Sequence, residues 1–174
     1  FILLLLLLVL IPLIKYFPYR LVRILTFLNP DMDPLGVSYQ INQSLIAVGS
    51  GGLFGKGLGL SEQKMGFLPL SFSDTIFSIF AEEMGFLGSV FLISLYLLLF
   101  FRSYKIGIKE KDEFRKLLCF GISFWFYIQF FVNIGSMIGI LPLTGIPLPF
   151  ISYGGSHLIA EMGAMGILLN ISKK

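Results

Sequence analysis

Three carboxylates accompany a strongly apolar stretch, 67-FLPLSFSDTIFSIFAEEMGFLG-88, in which Asp74 precedes the apolar run and Glu82 and Glu83 lie within it. Polar or small residues recur at helical spacing from Asp74 to one residue past this stretch and share one helix face: Asp74, Ser78, Glu82, Gly85 and Ser89. Polar side chains at membrane depth usually face a bundle interior or a water-filled cavity, because lipid cannot solvate them. The pattern therefore predicts a helix face that lines a cavity, with the cavity opening outward at Asp74.

A structural interpretation of Asp74 is also open. If the helix begins near Ser71, the S-x-x-D pattern of Ser71 and Asp74 forms a capping box, and Asp74 only stabilises the amino end of the helix. Glu83 lies off the polar face, in a position that suits a contact with a neighbouring helix.

A second pair of titratable residues, His157 and Glu161, lies in the last apolar segment. Because they are four positions apart, the two side chains share a helix face and can bond to each other. They form either a structural polar contact within the membrane or part of a proton relay or substrate site. The preceding segment, 141-LPLTGIPLPFISYGGS-156, holds three prolines, which do not suit a helix interior. It is predicted to be an irregular outer loop folded in against protein or water.

Six glycines are concentrated in 49-GSGGLFGKGLGLSEQK-64. The segment does not fit a phosphate-binding P-loop, because Ser50 stands where the first glycine belongs and Gly57 stands where Ser or Thr should bind magnesium. Two interpretations stay open. The segment is either a flexible or sharply turning loop, or a backbone surface that approaches a ligand closely.

The composition of the chain indicates that the helices which position these residues lie in a membrane. The 174 residues are 56% hydrophobic and 13% charged, against about 25% charged in a soluble domain. The chain is therefore predicted to be an all-α integral membrane protein, since unpaired strand edges cannot face lipid. Apolar segments predict membrane helices at about 1–14, 76–101, 117–140 and 156–171. The chain opens at Phe1 within an apolar run, so we expect it to be a piece of a longer protein.

The basic residues orient these helices. Eight of the 13 lie either in segment 102–116 or at the end of the chain, and the positive-inside rule places that side in the cytoplasm. Segments 15–75 and 141–155 are then predicted to be outer loops. No basic stripe is interleaved with aromatic residues, so no nucleic-acid partner is expected. The single cysteine, Cys119, leaves no internal disulfide to expect.

Three motif blocks, in order along the chain, resemble a known family. They are 28-LNPDMDPLGVSYQINQSLIAVGSGGLFGKGLGLSEQKMGFLP-69, then SDTIFSIFAEEMGFLG, then LPLTGIPLPFISYGGS, and together they resemble the SEDS family of membrane glycosyltransferases. The elements YQ…QSL and GLGLSEQK are closer to its cell-division branch, FtsW, than to its elongation branch, RodA. The resemblance implies a polytopic helical bundle of about ten membrane helices, with the carboxy-terminal four in this chain.

The resemblance also implies an activity and its setting. The expected enzyme is an inverting peptidoglycan glycosyltransferase that polymerises lipid II into glycan strands, with undecaprenyl pyrophosphate as the leaving group. It would act in the bacterial inner (cytoplasmic) membrane, with its active site on the outer face. A class B penicillin-binding protein and other divisome or elongasome membrane proteins are the expected partners. A lipid II flippase and a membrane scaffold for a transpeptidase stay open as alternatives.

Site residues follow from the same resemblance. The family's essential loop aspartate lies in a block written H-T-D-F-I-F, which maps onto 72-FSDTIF-77, so Asp74 takes the role of general base toward the acceptor 4-hydroxyl. Departures from the family pattern include Phe72 for His, Thr75 for Phe, Leu70 for Glu, and His157 for Ser.

The other residues expected at the substrate are Lys56, Gln63, Lys64, Glu82, Tyr153 and Ser156, with Glu82 shaping the cavity below Asp74. Four cations on the outer side could offset the charge of the pyrophosphate or anchor at lipid headgroups: Arg20, Arg23, Lys56 and Lys64. No cofactor is expected with certainty. A divalent cation at Asp74 is left open, because no ligand cluster in the sequence predicts one.

Overall fold

The computed structural model describes residues 18–29, 36–68 and 72–173, and the regular secondary structure in these ranges is helical. Two short helices precede three longer ones, and a 3-10 turn at Gln63–Met65 lies between them. The helices are α1 (Pro18–Leu28), α2 (Val37–Ser50), α3 (Ile76–Lys109), α4 (Glu113–Met137) and α5 (Gly155–Ser172). The all-α prediction is confirmed in the described ranges.

The two longest helices, α3 and α4, form an antiparallel hairpin around the short link at residues 110–112. The Asp112 carboxylate accepts a hydrogen bond from the backbone N of Arg115 at 2.9 Å and caps α4. Aromatic side chains join the two helices in pairs that run in opposite chain order, with ring centroids 4.7 to 5.1 Å apart: Tyr96–Phe130, Phe100–Tyr127 and Tyr104–Phe120.

The helix ends at the hairpin differ from those predicted by hydropathy. α3 continues past 101 to Lys109, and α4 begins at Glu113 rather than 117. The predicted loop 102–116 is therefore helical except at 110–112. Charged residues end the apolar run without ending the helix, because Lys and Arg are good helix formers whose long side chains reach water from a helical backbone.

Other boundaries agree more closely or lie outside the described residues. α4 ends at Met137 rather than 140, and α5 lies within one residue of the predicted 156–171 at each end. The predicted outer loop 15–75 contains α1 and α2. The predicted first membrane helix, 1–14, lies outside the described residues.

Among the described helices, α3 and α4 are long and apolar enough to cross a membrane. α5 has 18 residues, or about 27 Å at 1.5 Å per residue, and stays a predicted span.

Two apolar clusters hold the bundle together. The larger lies among α3, α4 and residues 141–154, and includes Phe77, Tyr96, Phe130, Leu143 and Leu148. The smaller joins α4 to α5 through Cys119, Ile122, Phe126, Ala164, Leu168 and Ile171. Leu143 and Leu148 are 1% and 0% exposed. The segment at 141–154, called the proline loop below, is therefore folded in against the helices, as its sequence predicts.

Candidate active site

Asp74 lies immediately before α3. Thr75 is the N-cap residue and the helix begins at Ile76, so Asp74 is outside the helix. The capping-box interpretation needs a helix that begins near Ser71 and is therefore wrong. Ser71 itself lies outside the described residues. Asp74 is 6% exposed. The neighbouring groups, rather than water, therefore determine the position of its carboxylate.

Hydrogen bonds from two directions fix Asp74. Asn133 of α4 donates from Nδ2 to the backbone oxygen of Asp74 at 2.7 Å and to that of Ile146 at 2.7 Å. The Ser73 hydroxyl donates to Oδ1 of Asp74 at 3.0 Å. One amide of α4 thus joins the start of α3 to the proline loop, and it holds the backbone that carries the carboxylate.

Arg23 of α1 lies beside the same carboxylate. A Cβ placed on Gly145 would be 3.6 Å from Oδ2 of Asp74 and 3.4 Å from Nη1 of Arg23, so both groups border this glycine of the proline loop. Gly145 has a φ of 72°, a conformation that glycine adopts without strain. Nη1 of Arg23 also donates to the backbone oxygen of Leu143 at 3.1 Å. A cation from the first described helix therefore accompanies Asp74.

Further contacts tie the proline loop to the segment before α3. The Ser152 hydroxyl donates to the backbone oxygen of Ser73 at 2.5 Å. The backbone N of Tyr153 donates to the backbone oxygen of Phe72 at 2.9 Å. The Tyr153 side chain is 85% exposed, and Ser156 is exposed at the start of α5. The backbone of Tyr153 thus contacts the segment that carries Asp74, and its ring is exposed.

The polar face of α3 points inward, as its spacing predicts: Ser78, Glu82, Gly85 and Ser89 are all buried. At Glu82, however, the space beside this face is filled by protein. Segment 51–64, called the glycine loop below, packs there and surrounds the Glu82 carboxylate, which is 0% exposed.

Glu82 is a hydrogen-bonding centre for the glycine loop. Its Oε1 accepts from Nζ of Lys56 at 2.8 Å, and its Oε2 accepts from the Ser61 hydroxyl at 2.5 Å. The Ser50 hydroxyl and the backbone N atoms of Glu62 and Gln63 each donate at 3.3 Å. This contact with Glu82 raises the pKa of Lys56 above its ordinary value.

The neighbouring Glu83 makes a parallel contact, in which Nζ of Lys64 donates to its Oε1 at 2.7 Å. Lys56 and Lys64 are thus bound to acids of α3. Glu82 follows Asp74 by eight residues, which is about two helical turns. The site residues predicted from the sequence therefore form two groups: Asp74 with Tyr153 and Ser156 near the proline loop, and Glu82 with Lys56, Gln63 and Lys64 at the glycine loop. Substrate binding by these residues stays a prediction.

The helix α3 is interrupted where the glycine loop contacts it. Gly85 has φ 68° and ψ −167°, which are not helical values. The loop supplies hydrogen-bond partners to the backbone on both sides of the break: Lys56 N to Glu82 O at 2.9 Å, Gly57 N to Glu83 O at 3.1 Å, Phe86 N to Gly52 O at 2.8 Å, and Leu87 N to Leu53 O at 3.2 Å. Irregular backbone at membrane depth needs such partners, because lipid offers none.

Close backbone contact explains the glycines of the loop. A Cβ on Gly51 would lie 2.1 Å from the backbone oxygen of Ala81, and one on Gly55 would lie 2.1 Å from that of Glu83. The segment is thus a sharply turning loop, with positive φ at Gly52, Gly55, Gly57 and Gly59. At Gly51 and Gly55 its backbone approaches the backbone of α3 closely. Sequence reasoning missed the break itself, although a glycine on the polar face of an apolar helix was the available signal.

His157 and Glu161 meet as predicted, with Nε2 of His157 2.8 Å from Oε1 of Glu161. The other carboxylate oxygen, Oε2, accepts from the backbone N of Phe150 at 2.8 Å. Phe150 has a φ of 63°, a conformation that a bulky residue keeps only when its surroundings hold it. Glu161 therefore supports the end of the proline loop, which agrees with the structural interpretation of the pair.

Within the described ranges, no group of three or more His, Cys, Asp and Glu side chains could hold a metal ion. A divalent cation at Asp74 would need ligands from the substrate or from residues elsewhere in the protein.

The fold and the site together define a class of protein. It is a helical membrane protein with a buried aspartate, held where the start of a helix, a loop and a cation meet. A family model described as "Cell cycle protein", covering FtsW, RodA and SpoVE, matches residues 1–174. The chain belongs to this FtsW/RodA/SpoVE family, and the resemblance carried by the three motif blocks is confirmed.

Individual relatives agree with the family assignment. The chain is 47% identical over 156 residues to "Stage V sporulation protein E" of Bacillus subtilis (strain 168). The aligned region covers 90% of this chain and 43% of that protein. It is 46% identical over 156 residues to a "Probable peptidoglycan glycosyltransferase FtsW" of Geobacter sp. (strain M18), covering 90% and 42%. The chain therefore spans less than half the length of these relatives.

A solved structure shares the fold. A chain from work described as "Structural coordination of polymerization and crosslinking by a peptidoglycan synthase complex" matches with a TM-score of 0.68 and 31% identity, covering 90% of this chain and 42% of that one. The helical membrane fold expected from the sequence is confirmed by this match.

Proposed function

We propose that the full-length protein is a peptidoglycan glycosyltransferase that polymerises lipid II into glycan strands during cell division or cell-wall growth. Family membership supports the proposal, as does the name of a 46% identical relative, a probable peptidoglycan glycosyltransferase. The observation that carries it is the placement of Asp74. This carboxylate is 6% exposed, is held from α4 by Asn133, and lies next to the Arg23 guanidinium across Gly145.

In the proposed reaction, Asp74 accepts the proton of the acceptor sugar's 4-hydroxyl. The hydroxyl oxygen attacks the anomeric carbon of the donor sugar and forms the new glycosidic bond with inversion. The bond from that carbon to the pyrophosphate oxygen breaks, and undecaprenyl pyrophosphate leaves with the electron pair as an anion. No acid is required, because pyrophosphate leaves without protonation. A positioned base of this kind contributes typically 10²–10⁴-fold to the rate.

Arg23 is the cation best placed to offset negative charge near Asp74, since Lys56 and Lys64 contact Glu82 and Glu83. Fixed positive charge in a site poor in water stabilises charge that develops during the reaction. Tyr153, whose ring is exposed and whose backbone N donates to the backbone oxygen of Phe72, is a candidate contact for the sugar.

The proposed setting is the bacterial cytoplasmic membrane, with Asp74 on the outer face. The eight basic residues of 102–116 and the chain end support this orientation. A class B penicillin-binding protein is the proposed transpeptidase partner, and the match to a chain from a peptidoglycan synthase complex supports a partner of this general kind. Other divisome or elongasome membrane proteins are proposed to assemble with the same complex.

The test compares full-length wild type with Asp74→Asn in an in-vitro lipid II polymerisation assay. We expect a rate loss of roughly hundredfold or more, with normal membrane insertion and thermal unfolding. Glu113→Gln is the matched control, because its carboxylate is 79% exposed at the opposite end of the hairpin, and it should keep wild-type activity. Near-normal polymerisation by folded Asp74→Asn would remove Asp74 from the mechanism. Transport of lipid II without polymer formation would indicate a flippase. Normal growth of cells that carry Asp74→Asn would indicate a scaffold.

A further inference from the structure

Two adjoining cavities lie at the carboxyl end of α3, at the opposite end of the hairpin from Asp74. The first has a volume of about 390 Å³ and is lined by Ser94, Leu97, Leu98, Phe101, Arg102 and Lys105. The second has a volume of about 470 Å³, extends toward the end of α5, and is lined by Arg102, Lys105, Ile106, Lys109, Glu110, Ile171 and Ser172. Arg102 and Lys105 line both cavities, and the two together are called the cleft below.

The cleft carries a concentrated positive charge. Arg102, Lys105 and Lys109 are spaced by three and four residues, so they share one face of α3. In the described ranges, none of the three lies within ion-pair distance of an acid; the contacts with acids found there involve other residues: Lys56, Lys64, Lys116 and His157.

The acid among the lining residues, Glu110, offsets only part of this charge. The Glu110 carboxylate accepts from the backbone N atoms of Lys111 and Asp112 at 3.0 and 3.2 Å. The Ser172 hydroxyl likewise donates to the backbone oxygen of Leu169 at 2.8 Å. Three cations and one carboxylate give the cleft a net positive charge, and this charge is complementary to an anion.

An apolar strip continues from the cations toward the middle of α3. Leu98 and Phe101 are 58% and 56% exposed, and Leu97 lines the same cavity. A ligand that matches the whole cleft is therefore an amphiphile, with an anionic group at the helix end and a hydrocarbon chain along the membrane-spanning part. A zwitterionic headgroup matches the charge less well, and a soluble anion leaves the apolar strip uncovered.

We propose that this cleft binds an anionic phospholipid, with the phosphate among Arg102, Lys105 and Lys109 and one acyl chain along Leu97, Leu98 and Phe101. Basic pockets between membrane helices at the cytoplasmic surface recognise anionic lipid headgroups in this way. The inference is independent of the proposed glycosyltransferase activity, because it rests on residues at the other end of the hairpin.

The experiment measures binding of phosphatidylglycerol and of phosphatidylcholine to the full-length protein by native mass spectrometry in detergent. The test variant is R102Q/K105Q/K109Q. The matched control is K111Q/R115Q/K116Q, which removes the same number of charges from the same segment but from outside the cleft. Both variants are first checked for wild-type thermal unfolding.

We expect wild type to bind phosphatidylglycerol in preference to phosphatidylcholine. Each cation near an anionic lipid contributes about fivefold to binding, so the test variant should bind phosphatidylglycerol roughly a hundredfold more weakly. The control should stay within about twofold of wild type.

Three results would overturn the proposal. Equal losses in both variants would indicate general attraction by a basic surface. Equal binding of the two lipids by wild type would show that another helix of the full-length protein covers the cleft. Displacement of bound phosphatidylglycerol by glycerol phosphate at the lipid's own concentration would show that the apolar strip takes no part.

Discussion

Adding one methyl group at Gly55 tests whether the glycine loop is held by backbone contact with α3. A Cβ at Gly55 would lie 2.1 Å from the backbone oxygen of Glu83 and 2.7 Å from the backbone N of Gly85, and contacts below 3.0 Å essentially do not occur. Gly55→Ala must therefore move the loop away from α3 by roughly 1 Å, which stretches the hydrogen bonds from Lys56 N and Gly57 N beyond a useful length.

The magnitude has two parts. Each of the two lost backbone bonds contributes about 1 kcal/mol net. Gly55 also has a φ of 81°, and a residue with a Cβ costs about 1 kcal/mol more in that region. The loop should therefore be destabilised by about 3 kcal/mol, which raises its opening equilibrium roughly a hundredfold.

Gly52→Ala is the matched control. Gly52 has a φ of 56°, and a Cβ there would meet nothing within 4 Å. This variant keeps the cost of positive φ without the collision. We therefore expect the loop to be destabilised by about 1 kcal/mol and its opening equilibrium to rise roughly fivefold. The difference between the two variants isolates the contact with α3.

Hydrogen exchange of the full-length protein, read by mass spectrometry in peptides that contain Lys56 and Gly57 or Phe86 and Leu87, measures the opening. Gly55→Ala should exchange far faster than Gly52→Ala in both regions, because the loop and the break protect each other. If the two variants exchanged at the same rate, the backbone contact would not be what holds the loop, and the account of the broken helix would fail.

The remaining predictions concern the two ends of the polar face. Asn133→Ala removes the donor to the backbone oxygen of Asp74, which is buried, and to that of Ile146, which is partly buried. A buried oxygen left without a donor costs about 1–3 kcal/mol. We expect a lower unfolding temperature and slower lipid II polymerisation, and unchanged values of both would contradict the role of Asn133 in positioning Asp74. The pKa of Lys56 is raised above 10.5 by its contact with Glu82, so this contact should stabilise the loop fully below pH 10.5 and lose its effect as the pH rises through the higher folded value. Hydrogen exchange of the loop, measured as a function of pH, checks this direction. A loss of protection that begins on the alkaline side well below pH 10.5 would contradict the prediction.

The sequence predicted the features that depend on local spacing. The four-residue repeat from Asp74 to Glu82 placed both on the face that is buried in the structure. The same spacing brought His157 and Glu161 into contact. Helix ends were less predictable, because hydropathy detects where the apolar run stops at 101, whereas the backbone hydrogen bonding of α3 continues to Lys109.

Contacts between residues distant in the chain were not predictable in this way. Arg23 borders the same glycine as Asp74 through the fold of α1 against the proline loop. Glu82 was predicted to shape a cavity, yet its carboxylate is enclosed by donors of the glycine loop. The sequence treated Gly85 as a small residue on a continuous helix, because nothing in its immediate neighbours shows that another segment supplies the missing hydrogen-bond partners.

By itself, then, the sequence determined that this chain is helical and membrane-embedded, which family it resembles, and that a carboxylate stands at the start of a long apolar segment. These properties follow from composition, period and motif, which are local. The tertiary structure alone decided which cation accompanies Asp74, which amide holds its backbone, and where α3 is broken. Those are decided by which segments approach one another in space, and a buried backbone group accepts whichever partner the fold brings within hydrogen-bonding distance.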